Sequence, residues 1–361
     1  MYDEPPPSDE DLADEASEED LGDEPSELPR IDRPSLWERL RRRPFGFGFW
    51  AGVAILVFYF AAGISALVVF RGTLDQLAIN PTWAVAPPYQ SPTPPSWQYP
   101  FGVLPGLGVD LFRALWQATP WDLAIVAGIL AFDVAIGCLV GVIAGMNEGG
   151  ALDAVLSWVT DTIGAIPSFF LVIGIFAAVT TLAPGDIGIP LFIVVFGFVI
   201  WPATARLTRD RARIVARQPY VEATRASGGG RRRILFRHIL PGSVSAVLAQ
   251  LPLDVAPIFF VLIVFPWFWN TVSPPPGAKY GVADTTPTLP PFSPLPNVNF
   301  PEWGYLLAVG MGYGLPISEG LVGVPVYWWM FLFPLAAILG LAFGIALVCD
   351  GLDRRLATRR R

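Results

Sequence analysis

The sequence predicts an all-α polytopic membrane protein with six transmembrane helices. Three observations carry that expectation. The 361-residue chain is 53% hydrophobic and only 15% charged, with a mean hydropathy of +0.50, which excludes an ordinary soluble domain. It contains six apolar runs, each long enough to cross the roughly 30 Å hydrocarbon core of a bilayer. Its basic residues also fall on one side of the topology that those runs imply.

In chain order, residues 1–35 are rich in Asp, Glu, Pro and Ser. Residues 1–36 hold fourteen acids against Arg30 and Arg33, a local charge of −12 within an overall −7. Such a stretch buries too little apolar surface to offset chain entropy, so a disordered acidic tail is expected there, with no signal peptide ahead of the first span. Residues 36–70 form the first span, with Phe45–Phe70 as its apolar run. In lipid its backbone must bond internally, hence a helix. Residues 71–120 are proline-rich and read as an external loop, with a short interfacial helix at Val109–Gln117. The core, residues 121–353, holds five more spans near Trp121–Met146, Leu152–Leu182, Ile187–Leu207, Ser243–Trp269 and Pro325–Val348. Between them lie a polar loop at 208–241 and a Pro- and Gly-rich external loop at 270–325. A basic tail occupies 354–361.

Arg39, Arg41, Arg42 and Arg43 place the N-terminal side of the first span in the cytoplasm, and six spans return the C-terminus to the same side. Segments expected inside carry nineteen bases; segments expected outside carry three, Arg71, Arg113 and Lys279.

The polar stretch Gln218–Pro241, QPYVEATRASGGGRRRILFRHILP, is the most patterned part of the chain. Tyr220–Ser227 reads as a short helix with Ala223 and Ala226 on a small-residue face. Gly228–Gly230 ends it, because glycine takes positive φ at little cost. Arg231–His238 restarts a basic amphipathic helix that Pro241 is expected to end. A plain basic loop against lipid head groups is the alternative.

That stretch resembles the EAA loop of the membrane-spanning subunits of binding-protein-dependent ABC importers, in the dipeptide/oligopeptide/nickel branch. Glu222, Ala223 and Thr224 stand for the family's E-A-A, with Thr replacing the third residue. Gly228 follows three residues on, and His238-Ile239-Leu240-Pro241 comes nine residues later. Asp161 with Ile166-Pro167-Ser168, Pro301-Glu302-Trp303-Gly304, Phe333-Pro334 and Asp350-Gly351-Leu352-Asp353 are similar to other motifs of that branch. The family's external P-L-G-T-D-x-x-G-R-D survives only as Pro100-Phe101-Gly102, Gly108 and Asp110.

The resemblance implies an ABC-importer type I transmembrane domain of the MetI-like kind. It implies a coupling helix formed by Tyr220, Glu222, Ala223, Thr224, Arg225, Ala226, Ser227 and Gly228, with His238, Leu240 and Pro241 closing the loop. Implied partners are a second homologous permease subunit, two cytoplasmic ABC ATPases and an extracytoplasmic solute-binding protein, in a cytoplasmic membrane whose lipid surrounds the spans.

No P-loop occurs, and the only lysine, Lys279, lies in an external loop, so ATP hydrolysis is expected in separate subunits. One histidine and two cysteines in apolar runs build neither a zinc site nor a catalytic dyad, so no cofactor or metal is expected. No basic face suggests nucleic acid. Asp133, Asp161 and Asp254 fall within spans, where a carboxylate is costly and must face the bundle interior or a wet cavity; Asp133 and Asp254 are candidates for the translocation path. Two other readings compete: a secondary transporter driven by protons through Asp133 and Asp254, and a non-transporting membrane assembly protein.

Overall fold

A computed structural model describes residues 45–69, 93–104, 109–182, 189–272, 302–314 and 327–357. The acidic stretch 1–35, Arg39–Arg43, residues 71–92, Lys279 with the loop 271–301 apart from two helical residues, and residues 358–361 lie outside the described residues. The described chain is a helical bundle. Its elements are α1 (Phe47–Val69), β1 (Val103–Leu104), β2 (Val109–Asp110), α2 (Leu111–Met146), α3 (Ala151–Ala165), α4 (Ser168–Leu182), α5 (Ile189–Ala216), α6 (Pro219–Ala226), α7 (Arg231–Ile234), a π-helical turn at Leu235–Ile239, α8 (Leu240–Val272), α9 (Trp303–Gly314) and α10 (Trp328–Ala357).

Five helices, α1, α2, α5, α8 and α10, are long and apolar enough to cross a membrane. The sixth span, expected as one helix over Leu152–Leu182, is instead the pair α3 and α4, bent by 91°. Proline supplies the reason. Pro167 disfavours the helical region for the residue before it, and Ile166 is extended at φ −90°, ψ 128°. Pro120, Pro202 and Pro334 lie inside helices that do not break.

Three further expectations are corrected. The separate interfacial helix at Val109–Gln117 does not exist as such: α2 starts at Leu111 and runs unbroken for 36 residues through Pro120. At 1.5 Å per residue it is about 54 Å long, well beyond the hydrocarbon core. Asp110 caps it by accepting from the Phe112 amide at 3.0 Å. Second, Pro241 does not end the basic helix. It occupies the second position of α8, inside a helical path that continues from Arg231 through the π turn. Third, the segment 270–325, expected as an external loop, contains the helix α9, and the first residues of that helix are core: Trp303, Tyr305, Leu306 and Leu307 are all buried.

The centre of the bundle is α2 against α5. Gly137, Gly141 and Gly145 recur every fourth residue of α2, so they share one face. A methyl group on any of them would collide with α5, at Thr204 for Gly137 (2.7 Å), at the Ala205 carbonyl for Gly141, and at the Arg209 carbonyl for Gly145 (2.6 Å). Small residues here let two backbones touch, which is how helices gain contact where lipid removes the hydrophobic drive. Around this seam lies a core of Ile125, Ile129, Phe176, Phe192, Phe196, Ile258 and Phe259. α9 is pinned to α2 by two bonds from one residue: the Trp303 amide donates to Asp122 Oδ2 at 3.0 Å and its indole Nε1–H to the Leu115 carbonyl at 3.1 Å. α1 packs on α10 through Gly52, with the Tyr59 hydroxyl donating to the Ala337 carbonyl at 2.8 Å.

The outer faces are apolar as well. Phe58, Phe60 and Ile64 on α1, Leu253 and Phe260 on α8, and Leu339 and Phe343 on α10 are exposed. A helix apolar on all sides belongs inside a membrane.

Candidate functional site

The stretch singled out by its pattern forms a compact knob at the end of the bundle where α2 and α5 finish and α8 begins. α6 starts with Pro219 at its first position, where the missing amide hydrogen has no intrahelical partner to lose. Glu222 sits in its first turn and Arg225 in its last, each on the favourable end of the helix dipole. Gly228 ends it at φ +81°, with its amide donating to the Arg225 carbonyl at 3.1 Å. Gly229 then donates to the Thr224 carbonyl at 2.9 Å. A side chain on Gly229 would strike that same carbonyl at 2.6 Å, whereas Gly228 faces open space. Gly230 becomes the N-cap of α7.

A small apolar cluster fixes the knob to the bundle. Val221 from α6, Ile234 from α7 and Ile239 from the π turn are buried against Val142 of α2 and Ala212 and Val215 of α5. Burying a side chain of this size contributes about 1.5–3 kcal/mol. Sequence reasoning did not mark these three residues; their spacing around the glycines was the available signal. The anchor decides which face looks outward. Glu222, Ala223, Arg225, Ala226, Ser227 and Gly228 are exposed, and so are Arg231, Arg232, Arg233, Phe236 and Arg237. Thr224 and Tyr220 are half-buried, on the side facing His238. Thr224 Oγ1 lies 3.2 Å from His238 Nε2, and the Tyr220 and His238 rings are 5.4 Å apart. Leu240 is exposed and Pro241 half-buried at the start of α8.

An ionic clamp stands beside the knob. Arg209 and Arg213 on α5 and Arg217 just past its end recur at four-residue spacing and reach across to α3 and the turn before it. Asp153 accepts from Arg209 Nε at 2.7 Å and from Arg213 Nη2 at 2.6 Å, and also from the Gly149 amide at 3.1 Å. Glu148 accepts from Arg217 Nη2 at 2.8 Å. Asp153 is 4% exposed, so its charge is held by these partners rather than by water. Asp161 meets Arg206 at 3.0 Å at the surface, not within the bundle.

Asp133 and Asp254 are also placed. Both are buried, Asp133 on α2 and Asp254 on α8, and they contact one another inside the bundle. Neither reaches an exposed face of this chain. Among the described residues no cluster of His, Cys, Asp and Glu is arranged to hold a metal.

Comparison with known proteins agrees with this architecture. Residues 137–273, from the glycine seam through the knob to the end of α8, match the family described as binding-protein-dependent transport system inner membrane component. The oligopeptide transport system permease protein OppC of Bacillus subtilis (strain 168) is 26% identical over 270 residues, covering 74% of each chain. The probable D,D-dipeptide transport system permease protein DdpC of Escherichia coli (strain K12) is 28% identical over 72% of this chain and 73% of its own. A shorter match, 35% identical over 144 residues, joins 39% of the chain to 45% of the glutathione transport system permease protein GsiD of Pectobacterium atrosepticum. With its apolar helices and its knob in the matched region, the chain is a multi-pass membrane protein whose residues 137–273 match this family and which is similar to the permease subunits of ABC importers.

Proposed function

We propose that this subunit carries peptides, or a solute of similar size and polarity, and that the α6 knob is where ATP-driven motion enters it. The observation that supports this most is the division of labour within the knob. Val221, Ile234 and Ile239 anchor it, while Glu222, Ala223, Ala226 and Gly228 lie on an exposed face rich in small residues, with none of the described residues over it. Small side chains allow a groove on a partner to approach the helix backbone closely. The clamp from Asp153 to Arg209 and Arg213 ties the same end of α5 to α3, so a push on α6 moves a connected block rather than a loop.

In this reading the knob and both termini face the cytoplasm, in keeping with the bases clustered there. Two ATPase subunits dock from that side, one on this chain and one on a second, homologous permease. A binding protein delivers solute from outside. Nucleotide binding closes the ATPase pair, and the spans shift as rigid bodies between two accesses. The peptide class rests on similarity to the oligopeptide and D,D-dipeptide permeases and on the motifs shared with that branch.

The test is uptake of labelled peptide by the reconstituted complex. Glu222→Arg and Gly228→Pro are expected to abolish uptake while the subunit still reaches the membrane in normal amount. Normal transport by either variant would contradict the proposed role of the knob.

A further inference from the structure

Asp133 and Asp254 form a contact that the importer reading does not use. Asp133 Oδ2 accepts from the Thr204 hydroxyl of α5 at 2.9 Å, and Asp254 Oδ1 accepts from Gln250 Nε2 at 2.7 Å. The two carboxyl groups are within hydrogen-bonding reach of each other. Each has one oxygen left over, Asp133 Oδ1 and Asp254 Oδ2, and both of these are buried without a donor. The residues are 0% and 4% exposed. Counted along α2 and α8 from the knob end at 1.5 Å per residue, the pair lies about 20 Å in.

Among the described residues no arginine or lysine forms an ion pair with either carboxyl; Arg206 engages Asp161, and Arg209 engages Asp153. The groups beside the pair are neutral: Thr204 on α5, Gln250 on α8 and, next to Asp133, Cys138 on α2, which Thr208 of α5 meets in turn. α4 contributes no titratable residue, and the next charged side chains on the far side, Asp122 and Glu302, are acids. Two adjacent carboxylates in such a site suffer both desolvation and mutual repulsion, which a single proton between them relieves.

We propose that Asp133 and Asp254 form a proton-binding site, one proton held between Asp133 Oδ1 and Asp254 Oδ2 in a hydrogen-bonded acid pair that clamps α8 to α2 and α5. One carboxyl donates its O–H to the other, so a single proton satisfies both orphan oxygens. The remaining negative charge is shared, and Thr204 and Gln250 donate to it. Moving α8 away from α2 breaks this bond and opens both groups to water, so the proton is held only while the bundle is closed. The site is independent of which solute the importer carries.

Infrared difference spectroscopy on the full-length chain in its assembled importer, reconstituted in nanodiscs, tests this. Wild type minus the D133N/D254N double variant is expected to show one protonated-carboxyl stretch at neutral pH that shifts in heavy water. The thermal midpoint of wild type is expected to be the same in sodium, potassium and choline chloride. A flat difference spectrum overturns the proposal. So does a wild-type midpoint that rises with sodium or potassium, which would make this a metal-cation site. If the double variant does not fold, Thr204→Val removes one donor and leaves both carboxyls in place. It is expected to shift the carboxyl stretch relative to wild type, and an unshifted band contradicts the account.

Discussion

Thr224 Oγ1 lies 3.2 Å from His238 Nε2, so the first helix of the knob is tied to the π-helical turn ahead of α8 across fourteen residues of sequence. The same hydroxyl donates back to the Tyr220 carbonyl at 2.8 Å, and the Tyr220 ring packs on His238. The residue that departs from the family's E-A-A pattern is therefore the one that bridges the two halves of the knob. Thr224→Val keeps the shape and removes the hydroxyl. The loss of a part-buried hydrogen bond is expected to cost about 1 kcal/mol. It should appear as a lower midpoint of thermal unfolding in detergent. His238→Phe, which keeps a ring on Tyr220, should lower it by a similar amount, and the double variant by less than the sum.

The glycines of the knob are not equivalent. Gly228 needs its left-handed backbone but has open space around it, so Gly228→Ala is expected to cost about 1–2 kcal/mol of backbone strain and no more. Gly229→Ala meets the Thr224 carbonyl at 2.6 Å and must displace α6. Peptide uptake should fall further in Gly229→Ala than in Gly228→Ala at equal amounts of protein in the membrane. The reverse order would contradict the geometry of the turn.

The acid–arginine contacts made by Asp153 and Asp161 should separate by burial. Asp153 is 4% exposed and shared by two arginines; removing its charge takes the acid from Arg209 and leaves Arg213 only Glu148 at 3.8 Å, at an expected cost of about 3 kcal/mol. The Asp161–Arg206 pair is exposed, and Asp161→Asn should change stability by less than about 1 kcal/mol. Chemical or thermal unfolding of Asp153→Asn and Asp161→Asn, side by side, checks both values.

At the α2–α5 seam, Gly141→Ala places a methyl group against the Ala205 carbonyl, and overpacking of this kind costs about 1–3 kcal/mol. Gly174→Ala on α4 meets nothing within 4 Å of this chain. Only the first should lower the yield of folded subunit, measured by size-exclusion profile after extraction.

The sequence made the fold class plain because long apolar runs allow only one backbone solution in lipid. It located α1, α5 and α10 for that reason. Proline was harder to read. Pro120 looked like a boundary yet sits inside α2, where the Thr119 hydroxyl bonds the Leu115 carbonyl. Pro167 looked tolerable inside a span yet ends α3, because Ile166 takes the extended conformation. The same residue type gave opposite outcomes, and packing against neighbours chose between them. The knob formed by Gln218–Pro241 was legible from its spacing, including the glycine turn. Its anchors, Val221, Ile234 and Ile239, were not, since they count only once α2 and α5 lie beneath them. The meeting of Asp133 with Asp254 was equally hidden, because it depends on the register at which α2, α5 and α8 cross. The four-residue spacings of Gly137, Gly141 and Gly145, and of Arg209, Arg213 and Arg217, were visible in the sequence and carried more than they were given.

The claim that the exposed face of α6 receives the ATPase is tested most directly by site-specific cross-linking in the assembled complex. Single cysteines at Ala223 and Ala226, which face outward, are expected to form disulfides or short cross-links with the ATPase subunit, and the yield should change when ATP is added. Cysteine at Val221, buried against α2 and α5, should form none. Equal labelling of all three positions, or no cross-link from Ala223 and Ala226 in a complex that hydrolyses ATP, would contradict the account.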